Sequence, residues 1–288
     1  MTSAIGRPTG AAARLPDPCA ILPLAKRENF AVASLLLGRA TRAHLTAIYG
    51  FARLVDQLGD EVDGDRLATL DAFEEDLHRV FDGAPRHPLL QRLALTVPEC
   101  RMPREPFLRL IEANRRDQLV GSYATFEELA GYCDLSANPV GELVLHVFGS
   151  ATPDRIALSD RVCTALQLTE HWQDVAEDYR RGRVYLPAED LERFGVDPED
   201  LAARETSPSL RRLLAFEVDR ARRLLAEGAP LVRRLRGRAR LAVAGYVGGG
   251  RATLDAIAAA DYDVLAATPR ASRTQRVRST LAVLRQAA

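Results

Sequence analysis

No run of this 288-residue chain alternates apolar and polar residues long enough to make a half-buried strand. Ala, Leu, Arg and Glu dominate instead, and these are helix formers. The pattern predicts an all-α fold. Helices are expected over 27–37, 40–61, 66–81, 88–97, 103–119, 125–134, 140–148, 153–178, 209–226, 236–249 and 251–259, with a last basic helix over 273–285. Proline and glycine clusters punctuate them, as in Asp82-Gly83-Ala84-Pro85, Ser136-Ala137-Asn138-Pro139 and Gly195-Val196-Asp197-Pro198. Thr125 followed by Glu128 reads as a capping box. No repeat at a solenoid period and no linker-length loop appears. One helical domain is therefore expected over 21–268, after a loose Pro/Gly-punctuated arm (1–20) and before a basic tail or helix (269–288).

Hydrophobic residues make up 47% of the chain and charged residues 27%, enough apolar material for a sizeable core. The formal net charge is zero, so no bulk basic field invites nucleic acid and no acidic bias favours a basic partner. Cys19, Cys100, Cys133 and Cys163 are widely spaced with no CxxC pair, the usage of a reduced cytoplasmic protein. No stretch approaches about 18 uninterrupted apolar residues, so no membrane span is expected.

Two segments carry the chemistry. In AIYGFARLVDQLGDE (47–61), Asp56 and Asp60 lie four apart on one helix face. Arg53 sits one turn earlier, and Ile48, Phe51, Ala52 and Val55 form an apolar flank beside the acids. In ALQLTEHWQDVAEDYRRGRVYLP (165–187), Gln167, Glu170, Asp174 and Asp178 line one face, followed by Arg180, Arg181 and Arg183. Like charges at this spacing destabilise a helix unless a cation compensates them. Two such helices face to face would surround a small gap with carboxylates. Mg²⁺ prefers oxygen ligands and leaves positions for phosphate oxygens, and arginines at the rim suit a diphosphate. The bland alternative is a solvated charged face. Two copies, each with arginines at one end, weigh against it.

These residues resemble the signatures of the squalene/phytoene synthase family. QDVAEDYRRGRVYLP is similar to the second aspartate-rich motif, and AIYGFARLVDQLGDE to the first. GYCDLSANPVGELVLHVFG (131–149) stands in the place of the central Tyr-Cys motif. The likeness spans about 26–259. ENFAVASLLL (28–37) and SANPVG (136–141) resemble the hydroxysqualene synthase branch. The resemblance implies a single-domain, all-α head-to-head isoprenoid (terpene) synthase fold with a central cavity. It further implies Mg²⁺-dependent ionisation of presqualene diphosphate, with water capture yielding hydroxysqualene, on a bacterial route to squalene and hopanoids. By motif position, Asp56, Asp60, Asp174 and Asp178 would be the metal-linked acids. Arg53 and Gln167 would touch the diphosphate or its metal-bound water, and Arg183 would add charge at the rim. Asn29 stands where the family often has a phosphate-binding serine. Tyr132 would be a polar group in the cavity, and Asn138 another water-holding candidate. Two departures stand out: Gln57 follows Asp56 where paired aspartates are common, and Glu170 replaces a usual asparagine, offering a fifth acidic ligand.

A transferase condensing two prenyl diphosphates, to presqualene diphosphate or phytoene, would use the same acids. A non-catalytic assembly factor would be expected to have lost them. His171 reads as a packing residue or one behind the acids, Trp172 as core or cavity wall, and Tyr185 and Pro187 as shaping the turn. Gly248-Gly249-Gly250 follows no strand and is not a nucleotide fingerprint. The tail carries Arg270, Arg273, Arg276, Arg278 and Arg285 with no acid after Asp263. It reads as a solvated helix or as a contact with anionic lipid, the latter placing the protein peripherally at the inner membrane face, where pathway enzymes would be partners.

Overall fold

The computed structural model of the protein describes residues 37–287. Among these residues every regular element is a helix, and the strand-like pairing is a parallel bridge between Ser122 and Val184. The expected helix over 27–37 and Asn29 lie outside the described residues. The helices are α1 (Arg39–Asp60), α2 (Arg66–Asp82), α3 (Pro88–Cys100), α4 (Glu105–Arg116), α5 (Phe126–Ser136), α6 (Asn138–Val147) and α7 (Pro153–Gln173). They continue as α8 (Val175–Arg180), α9 (Ala188–Phe194), α10 (Pro198–Ala202), α11 (Pro208–Gly228), α12 (Leu231–Arg234), α13 (Gly237–Ala259) and α14 (Arg273–Gln286).

Several boundaries differ from the pattern. The expected helix over 153–178 breaks at Asp174, whose ψ of 18° separates α7 from α8, although its N–H still donates to Glu170 O at 3.0 Å. Conversely, the expected break at the triple glycine is absent, and α13 runs through it. The glycines serve close packing: a Cβ on Gly248 would lie 2.6 Å from the Thr280 backbone on α14. One on Gly250 would lie 2.6 Å from Leu166 Cδ2. The short helices α9, α10 and α12 carry too few residues for a periodic signal. At Thr125 the hydroxyl accepts from Glu128 N as expected, but Glu128 reaches back to Ala124 N–H, one residue before the cap.

Helix α6 sits at the junction of three apolar clusters. Leu143 joins Phe51, Phe73 and Phe107 among α1–α4, where Phe51 stacks on Phe73 and meets Phe107 edge-on. Leu145 joins the larger cluster built from α5, α7, α11 and α13. Val144, between them, packs with Leu37, Leu45, Tyr49 and Ala242. Successive residues point 100° apart on a helix, so one turn of α6 ties three clusters together. Trp172 is completely buried in the larger cluster, which places it in the core. The basic C-terminal segment ends as α14, packed on α13 with Val283 buried.

Candidate active site

Helix α1 buries Leu45, Ile48, Phe51, Leu54, Val55 and Leu58, which leaves Asp56 and Asp60 on its open edge at the C-terminal end. The end of α4 is packed beside them. Asn114 Nδ2 donates to Asp56 Oδ1 at 3.3 Å, and Gln118 Nε2 donates to Gly59 O at 2.9 Å. A Cβ on Gly59 would stand 2.5 Å from Asn114 Oδ1, so glycine at that position lets α4 come close.

The second acidic segment arrives from the C-terminal end of α7. Gln167 Nε2 is 3.1 Å from His171 Nε2, and His171 Nδ1 is 3.6 Å from Asp178 Oδ2. The imidazole stacks on Tyr185 with centroids 3.6 Å apart. After α8 the chain pairs with the α4–α5 loop: Val184 N donates to Gly121 O at 2.7 Å and Ala188 N to Tyr123 O at 2.9 Å. This pairing positions Arg183, whose Nη2 lies 2.7 Å from Asp60 Oδ1. Arg183 thereby bridges the two acidic segments directly.

Asp117, just past α4, completes the cluster. Its Oδ2 accepts the Tyr132 hydroxyl at 2.9 Å, while its Oδ1 has no hydrogen-bond partner among the described residues. Arg183, Asp60 and Asp178 all act electrostatically on it. Behind these groups Tyr123, Tyr132 and Tyr185 form an aromatic wall with centroids 5.4–6.1 Å apart.

The charge balance is acidic. Asp56 has an exposed side chain yet is crowded by neighbouring protein groups. That crowding pushes its pKa up to about 6, with Asp60 and Asp117 adding repulsion against Asn114 and Arg53. Burial likewise raises Asp117 to about 6, opposed by Arg183. The Asp174 carboxyl is raised by burial and then by Asp178 and Glu177, with Arg270 countering. Burial disfavours the charge on Arg183, but Asp60 and Asp117 more than restore it.

The structure thus brings Asp56, Asp60, Arg53, Tyr132, Arg183, Gln167 and Asp178 into one neighbourhood, with Asp174 beside Asp178. One expected member stands apart. The Asn138 amide donates to Asp134 Oδ1 at 2.6 Å and its carbonyl accepts from Thr164 at 3.0 Å, so both ends of this buried side chain are used in packing. Glu170 is exposed on α7. Asn114 and Asp117 were missed, although NRRDQ (114–118) places an amide and an acid on one edge at the end of an amphipathic helix.

Among the described residues no three His, Cys, Asp or Glu side chains gather closely enough to hold an ion by themselves. A small space of about 10 Å³, room for one water, lies among His171, Asp178, Arg183 and Tyr185.

The sequence profile of squalene and phytoene synthases matches residues 25–281. The chain belongs to the squalene/phytoene synthase family. A hydroxysqualene synthase from Rhodopseudomonas palustris is 37% identical over 208 residues, covering 71% of this chain and 70% of the relative. A 15-cis-phytoene synthase from Synechococcus elongatus is 33% identical over 275 residues, covering 90% and 89%. Among solved structures, the squalene synthase HpnC from Alicyclobacillus acidocaldarius superposes with a TM-score of 0.79 at 47% identity, over 85% of this chain and 93% of that one. A dehydrosqualene synthase in complex with ligand gives a TM-score of 0.83 at 25% identity, over 93% and 95%. The all-α isoprenoid synthase fold read from the motifs is the fold of these neighbours, and members of the family act on prenyl diphosphates. No described helix is long and apolar enough to cross a membrane.

Proposed function

We propose that this family member is a hydroxysqualene synthase, converting presqualene diphosphate and water to hydroxysqualene and diphosphate. The observation that carries the ionisation chemistry is the bridge from Arg183 to Asp60, which joins two acidic segments around a carboxylate-rich cluster. The choice of branch is supported by 37% identity to a hydroxysqualene synthase and 47% to a squalene synthase structure, against 33% and 35% to two phytoene synthases that cover more of the chain than the hydroxysqualene synthase does.

The donor set fits Mg²⁺. Asp56, Asp60, Asp174 and Asp178 offer hard oxygens, and Asp117 Oδ1 is unpartnered among the described residues. Each segment presents too few ligands for a protein-only cage, which suits an ion that keeps waters and takes phosphate oxygens. When bound, the ion would neutralise charge building on the departing diphosphate. Arg53 and Arg183 supply fixed positive charge beside the same oxygens. Tyr123, Tyr132 and Tyr185 place π-systems behind the acids, whose quadrupoles would favour a cation left behind on the hydrocarbon. The Tyr132 hydroxyl is committed to Asp117, so it orients that carboxylate rather than delivering a proton. Capture by water needs at least two polar partners in an otherwise apolar place. Gln167, held by His171, is the best-placed amide for one of them.

The alternative is a transferase condensing two prenyl diphosphates, favoured by the 90% coverage of the phytoene synthase match. Incubation with Mg²⁺ and separately with presqualene, farnesyl or geranylgeranyl diphosphate distinguishes the two. Turnover of presqualene diphosphate alone supports the lyase. Condensation of the shorter substrates, with presqualene diphosphate untouched, transfers the assignment to the transferase.

A further inference from the structure

At the opposite end of the bundle the chain builds a different electrostatic environment. An open depression of about 720 Å³ is lined by Arg155, Arg233, Arg234, Arg236 and Arg238, with Asp154 as its one acidic residue. Asp154 is already taken by Arg234. Arg155 donates to Ser150 O at 3.4 Å. Among the described residues none of Arg155, Arg233, Arg236 and Arg238 has a carboxylate partner. Asp154 and Arg155 occupy the first turn of α7, whereas His171 and Asp174 lie at its far end. At 1.5 Å per residue the two regions are about 30 Å apart. A Cβ on Gly38, the residue before α1, would stand 2.6 Å from Arg238 Nη1. That guanidinium therefore lies at the N-terminal end of α1, again far from Asp56 and Asp60.

Guanidinium groups gathered without counter-charges repel one another, and a bound anion removes that repulsion. Arginine suits phosphate because its planar fork donates two parallel hydrogen bonds. Both α7 and α13 begin at this depression, and neither Thr152 nor Arg236 closes its helix end with a side-chain hydrogen bond. Their first N–H groups and positive dipole ends add to the same field. Leu241, one turn beyond Arg238, is 47% exposed beside the arginines.

We propose that this arginine-lined depression is a second phosphate-binding site, separate from the acidic cleft, that takes a phosphate- or diphosphate-bearing ligand. The ligand's source is a soluble diphosphate or the headgroup of an anionic phospholipid, for which Leu241 would offer an apolar foothold.

The test uses the full chain in excess chelator, so that a divalent-dependent cleft does not contribute. Inorganic diphosphate is titrated by calorimetry, and vesicles of phosphatidylglycerol or of phosphatidylcholine are co-sedimented with the protein. Reversal of the exposed pair, Arg233→Glu with Arg236→Glu, is expected to weaken binding by about tenfold or more, from roughly 1 kcal/mol per basic residue. Arg278→Glu with Arg285→Glu, on α14, is expected to leave it unchanged. Arg238→Gln alone gives a milder variant should the reversed pair fold poorly. Diphosphate binding without vesicle binding supports the site with a soluble ligand. Binding to phosphatidylglycerol alone supports it with a lipid headgroup. No binding of either probe, or binding indifferent to Arg233, Arg236 and Arg238, overturns the proposal. Turnover of prenyl diphosphates in Mg²⁺ is a separate readout, so this failure is distinguishable from failure of the acidic cleft.

Discussion

Glu217 on α11 is completely buried, and its ionisation should set a measurable pH dependence of stability. Arg220 Nη1 lies 2.7 Å from Glu217 Oε1 and 2.8 Å from Asp190 Oδ2, with Phe126 and Phe216 stacked about the guanidinium. One arginine thus serves two buried carboxyls. Burial raises the Glu217 pKa from 4.5 to about 8, opposed by Arg220 and reinforced by Asp190. The unfolded chain releases this proton near its ordinary value, so between pH 4.5 and about 8 the folded state binds more protons than the unfolded one. Stability must then fall as pH rises through that window and level off above it. At about 1.4 kcal/mol per pH unit the upper limit is about 5 kcal/mol, and relaxation around a coupled pair brings the expected loss to about 2–5 kcal/mol. Glu217→Gln keeps the shape, can donate to Asp190 and cannot ionise. Urea unfolding of both proteins from pH 5 to 9 should show the variant gaining on the wild type across this window, other titrations cancelling in the difference. A constant difference would mean that Glu217 is ionised in the folded protein throughout, and the reasoning would be wrong.

Three further outcomes follow from local geometry. Gly248→Ala should destabilise by about 1–3 kcal/mol because its methyl would press on the Thr280 backbone. Gly249→Ala, with nothing within 4 Å of the added carbon, should be neutral or gain up to about 1 kcal/mol, and paired thermal melts check both. Asp117→Asn should lower kcat/KM by about tenfold or more with the fold retained, since it removes a charge facing Arg183; steady-state kinetics alongside far-ultraviolet dichroism measures this. Asp56→Asn or Asp174→Asn, and chelation of the wild type, should each reduce turnover by about a hundredfold or more. Undiminished turnover in excess chelator would remove the metal from the account.

The all-helical class was legible because helix formers and the missing alternation both reject a sheet. Asp56 and Asp60 were legible for a sharper reason: like charges four apart beside a buried stripe are unfavourable unless something compensates them. Asp117 was not, since one acid three residues after Asn114 in a basic run is too faint a pattern to single out; only the pairing of residues 121–124 with 184–189 brings it to Arg183. The glycine run at 248–250 misled in the opposite direction. Helix propensity favours a break there, and tertiary packing against α14 and Leu166 overrides it. Asn138 shows the same limit, because its motif position did not reveal that Thr164 and Asp134 engage both ends of the side chain.

The most direct test of the central claim is a single-turnover reaction of the Mg²⁺-loaded protein with presqualene diphosphate in heavy-oxygen water, with no nicotinamide cofactor added. The expected result is release of diphosphate and formation of hydroxysqualene whose hydroxyl carries the heavy isotope, with Gln167→Leu shifting product toward elimination. Products without solvent oxygen, or inert presqualene diphosphate beside active condensation of two prenyl diphosphates, would contradict it.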